Sequence, residues 1–120
     1  MKPMRETTMT TSTSSNIAVI KLIELEGSVL TDGDNGLAIR HTHLEPALAT
    51  DARIVVDFRG IEAATPSWIN AFLGGAILDH GKVILRRISF ISCAEAVKQS
   101  IRMVVSISGS EADLRLKAAI

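Results

Sequence analysis

The chain has 120 residues, close to half of them apolar, with 13 acidic and 13 basic side chains in balance. That length supports one domain with a core of its own, and the single cysteine, Cys93, excludes an intrachain disulfide framework and suits a reducing cytoplasm. The neutral balance lacks the broad positive field of non-specific nucleic-acid binding, and one Trp, three Phe and no Tyr are too few for base-stacking platforms.

Residues 1–15, rich in Thr and Ser, read as a disordered tail with too few large apolar groups to offset the entropy of ordering. They contain no apolar signal-peptide core, and no run in the chain is long enough for a membrane span. A single domain is expected over residues 16–120. It opens with a β-branched stretch, Ile17 to Leu25, that predicts a strand ended by Gly27. A short extended piece at Ser28 to Thr31 precedes the turn signal Asp32-Gly33-Asp34-Asn35-Gly36. Leu37 to Ala49 has helical apolar spacing, with Pro46 interrupting its last turn.

Arg53 to Phe58 is a short apolar run of the kind found in a covered strand. After a turn at Arg59-Gly60, Thr65 is placed to cap a helix with Pro66 at its first position. That helix is predicted to reach about Asp79, closed by His80-Gly81. Lys82 to Ile91 predicts a further strand. Ser92 and Glu95 suggest a capping box for a helix from about Cys93 to Ile107, with Gly109 separating a short final helix from Glu111 to Ala119. Alternating strands and helices define an α/β layer structure, with helices on a mixed or partly parallel sheet.

The order of these elements, with Asp57-Phe58, Gly60-Ile61, Thr65-Pro66-Ser67-Trp68 and Leu73-Gly74 in place, resembles the STAS fold (sulphate transporter and anti-sigma-factor antagonist). Asp34-Asn35-Gly36 and Arg40 strengthen the likeness to a STAS-like branch associated with histidine-kinase-type ATPases. The resemblance covers roughly Ile17 to Ile107. It implies a small STAS-like layer structure, no enzymatic activity, no cofactor, and a protein partner that is an ATPase-type (histidine-kinase-like) kinase or a complex containing one. In bacterial anti-sigma-factor antagonists a serine at this helix start is phosphorylated, and Ser67 is the matching position. Thr65-Pro66 stands where the antagonists carry Asp-Ser, and Trp68 where they carry Gly.

The residues themselves support two readings of this helix. Ser67, with Thr65 beside it, would carry a phosphate where free N–H groups and the helix dipole favour negative charge. Trp68, Ala71, Gly74, Gly75 and Leu78 would then form a smooth docking face, with Ile69, Phe72, Leu73, Ala76 and Ile77 turned inward. In the other reading Ser67 merely opens a helix, and Gly74-Gly75 serve internal packing. A homodimer through the same helix and a small-molecule or nucleotide sensor at this strand-to-helix edge are the alternatives to a protein-binding module.

The remaining polar residues offer little chemistry. His41, His43 and His80 have no cysteine or carboxylate at metal-ligand spacing. Cys93 is either a helix-start thiol of lowered pKa or a small core residue. Asp57 fits a turn better than an acidic cluster, and Arg86-Arg87 with Lys82 and Lys98 form at most a modest basic patch. No nucleophile–base pair and no phosphate-cradling loop is visible.

Overall fold

A computed structural model describes residues 16–119, with side chains to residue 113. The expected tail, residues 1–15, lies outside the described residues. Strand β1 (Ile17–Lys21) leads into the short helix α1 (Leu22–Glu26), and β2 (Val29–Leu30) precedes helix α2 (33–48). Strands β3 (Arg53–Asp57) and β4 (Ala63–Ala64) are followed by helix α3 (66–80). A 3-10 turn (Lys82–Arg86), strand β5 (Ile88–Ile91) and helix α4 (Glu95–Ala119) complete the order. The α/β class stands. The described strand pairs are all parallel, in a three-stranded sheet ordered β1-β3-β5 and a small pair β2-β4.

The sheet is two-faced. Ile20, Ile54, Val56 and Ile88 are buried among Trp68, Phe72, Leu73, Val97 and Ile101 of α3 and α4, which build one core on that face. The opposite face carries Ile17 and Val19 with half their surface in water.

Several elements differ from expectation for local reasons. Only five residues of the first β-branched stretch pair with β3. Beyond Lys21 the partner strand has ended at Asp57, whose Oδ1 accepts from Arg59 N at 2.9 Å, so the chain turns helical instead. The segment 82–91 is likewise a strand only from Ile88, because Lys82–Arg86 follows Gly81 (φ 87°) as a 3-10 turn that buries Ile84. Gly109 does not end a helix: α4 runs unbroken for 25 residues. A glycine inside a helix costs only about 1 kcal/mol, and burial of Ser108 and Ala112 on either side holds this stretch in place.

Asp32 to Gly36 is the first turn of α2 rather than a free turn. The Asp32 carboxylate caps it, accepting from Asp34 N at 2.9 Å. Pro46 does not stop α2 either. A π-helical turn over Arg40–Leu44 precedes it, which relaxes the clash a proline ring makes with the carbonyl four residues back.

Candidate functional site

The loop from β3 to α3 is held from two sides just before Ser67 is reached. The N–H of Thr65 donates to Leu30 O at 2.9 Å, so β2 holds the loop from one side. From the other side the buried Ser100 hydroxyl of α4 donates to Ala64 O at 2.8 Å. Thr65 then caps α3 as the sequence predicts, its Oγ1 accepting from Trp68 N at 3.2 Å, with Pro66 at the first position. Thr65→Ala should therefore cost about 1 kcal/mol of stability, measured by chemical denaturation. Full stability in that variant would show that the cap contributes nothing.

Ser67 is exposed on this rigid start, while Thr65 is half-buried. The first residue of α2 packs against it: a Cβ on Gly33 would lie 3.8 Å from Ser67 O. The first turns of α2 and α3 thus meet at one surface point, each with a leading N–H held by its own cap, Asp34 N by Asp32 and Trp68 N by Thr65, and with the positive ends of both helix dipoles at that point. Asp32 and Asp34 stand exposed on the α2 side.

The expected docking face is corrected at most of its positions. Trp68 is fully buried, stacked on Phe72 with centroids 5.2 Å apart, and its indole N–H donates to Glu26 at 3.0 Å. Ala71 is half-buried, and a Cβ on Gly36 would come within 3.4 Å of its methyl group. Gly74 is buried, with no room for a Cβ against the Asn70 side chain and Ser108 Oγ. Gly75 lies against the Arg40 guanidinium, which occupies the space a side chain would need. The small stripe of α3 is therefore the seat of α2, Arg40 and α4. Leu78 is half-buried, 11 residues or about 16 Å along the helix from Ser67. It borders a cavity of about 720 Å³ with Lys82, Arg86 and Asp113.

Arg40, noted in the sequence only through the resemblance, proves central to the α2–α3 contact. It is 9% exposed, donating from Nε to Glu45 at 2.8 Å and from Nη2 to Asp79 at 2.6 Å. Burial acts to raise the Glu45 carboxyl, but hydrogen bonds from His80 and Arg40 outweigh it and hold its pKa below the ordinary 4.5. Burial likewise acts to lower Arg40, and its bonds to Glu45 and Asp79 win, keeping it above its usual value. The signal available in the sequence was an arginine on an otherwise apolar helical stripe.

Other candidates do not converge. His80 pairs with Glu45 at 2.8 Å, and among the described residues no group of three or more His, Cys, Asp or Glu is placed to hold a metal ion. Arg87 is spent on structure, its guanidinium donating to carbonyls of Ala47, Leu48, Thr50 and Ala52. Cys93 is half-buried, and burial, with Asp57 adding to it against Lys98, pushes its thiol up rather than down. It borders a second cavity of about 490 Å³ with Ser92, Lys98 and Arg102, away from Ser67. No helix of the described residues is long and apolar enough to cross a membrane.

Parallel strands covered on one face by helices, with an exposed serine on a capped helix after the central strand, define a STAS-like α/β domain. The chain belongs to the family described as STAS-like domain of unknown function (DUF4325), whose family model matches residues 35–98. Searches of curated proteins and of solved structures found no match.

Proposed function

We propose that this chain is a non-enzymatic regulatory module of the cytoplasm that docks a protein partner at the start of α3 and is released by phosphate on Ser67. The observation that carries this reading is the exposure of Ser67 on a helix start braced by β2, α2 and α4. With the small stripe of α3 occupied inside the fold, the outward groups are Pro66, Ser67 and Asn70, all exposed. Leu37 on α2 and Val29 on β2, 40% and 52% exposed, supply apolar contact on the elements that brace this end. The STAS-like resemblance supplies the partner class, an ATPase-type, histidine-kinase-like kinase or a complex containing one.

The electrostatics explain release. Phosphate adds about 1.5 to 2 negative charges. The α3 N-terminus favours that charge locally, while Asp32 and Asp34 across the seam oppose it. A partner that covers the site must also strip water from the phosphate, and this cost falls on the complex alone. The modified chain stays folded and the complex dissociates.

The test is a native pull-down with full-length wild type, Ser67→Ala and Ser67→Asp, with retained proteins identified by mass spectrometry. An ATPase-type partner held by wild type and by Ser67→Ala, and weakened at least about tenfold by Ser67→Asp, is expected. Equal retention by all three removes the switch.

A further inference from the structure

We infer that the open face of the three-stranded sheet is a self-association surface, on which a second copy of this chain packs face to face with its strands running the opposite way. The register sorts the side chains of this face into three rows. Ile17 lies beside Arg53, Val19 beside Val55 and Ser89, and Lys21 beside Asp57 and Ile91. Ile17, Val19 and Ile91 are 50%, 53% and 42% exposed. Branched apolar side chains thus stand in water on a parallel sheet, a type normally covered on both faces.

Charge decides what fits there. On the central strand Arg53 sits at the start and Asp57 at the end, with Val55 between them. A two-fold axis lying across the strands over the middle row sets Val19 and Val55 on their own counterparts. The same rotation brings each Arg53 over Asp57 of the second copy. An axis along the strands would instead oppose Arg53 to Arg53 and Asp57 to Asp57, so like charges reject it. In the accepted arrangement Lys21 lies over Ile17 of the second copy, its aliphatic stem covering that side chain while the ammonium reaches water. Within one chain Arg53 and Asp57 are about 13 Å apart along the strand, too far to pair with each other.

Sedimentation velocity of the full chain over a concentration series tests this. A reversible dimer is expected. Val19→Lys places two ammonium groups at the axis and should raise the dimer Kd at least about 100-fold. Asp57→Asn keeps an acceptor for Arg59 N and removes only the charge, so it should raise Kd about tenfold. Fluorescence of the buried Trp68 reports whether each variant keeps its fold. A monomer at every concentration overturns the inference, as does a dimer that natively folded Val19→Lys and Asp57→Asn leave unchanged.

Discussion

Gly36→Val should be the most destabilising single substitution in the α2–α3 seam, lowering stability by about 3 kcal/mol. An ideal Cβ at Gly36 would lie 2.8 Å from Trp68 O and 3.3 Å from the Trp68 ring. The oxygen belongs to the backbone of α3, so relief requires the two helices to part rather than a side chain to rotate. Parting them exposes Trp68 and Phe72, which are stacked in the core. Gly33→Ala is the matched contrast. Its Cβ would meet its nearest neighbours at 3.8 and 3.9 Å, in ordinary contact, so helix propensity should make it neutral or stabilising by up to about 1 kcal/mol. Thermal melts followed by Trp68 fluorescence separate the two. Gly36→Val melting with the wild type would mean that α2 is not seated on the small stripe of α3.

Arg40→Met should cost about 2 to 3 kcal/mol at neutral pH. It removes two charge-assisted bonds at once and leaves Glu45 and Asp79 facing the space between α2 and α3. Because the Asp79 side chain is 59% exposed, its share is small, and most of the loss falls on the more buried Glu45. The pH dependence has a definite sign. The folded pKa of Glu45 lies below its ordinary 4.5, so the unfolded chain takes up the proton first as pH falls. The stabilisation is complete above 4.5 and is lost as pH drops through the lower folded value. The gap between wild type and Arg40→Met should therefore narrow in acid, as read from denaturant unfolding at pH 7 and pH 3. A gap that is constant across this range would show that the Glu45 carboxylate is not what Arg40 holds.

The legible parts of the fold were those fixed by local chemistry. Thr65 and Pro66 announced the start of α3, Gly81 its end, and the Arg53 run the central strand, because caps, turns and dense apolar runs act over a few residues. What escaped was decided by contacts far along the chain. The length of β1 depends on where β3 stops, and the continuity of α4 depends on packing around Ser108. Asp32 was visible as a turn residue, yet its use as a helix cap depends on α2 packing against α3. The candidate site divided along the same line. Ser67 and Thr65 were placed correctly relative to the helix start. The small stripe was readable as a surface that admits close approach, but the sequence left open whether another protein or the chain's own packing makes that approach, and inside the fold α2, Arg40 and α4 make it.

The proposed docking of a partner lies on the end of the molecule where α2 and α3 begin. Hydrogen–deuterium exchange on the chain, alone and with the ATPase-type partner retained in the pull-down, tests it most directly. Added protection is expected in segments 32–38 and 62–70, lost when Ser67 is replaced by Asp. Protection confined to β1 and β5, with these two segments unchanged, would contradict it.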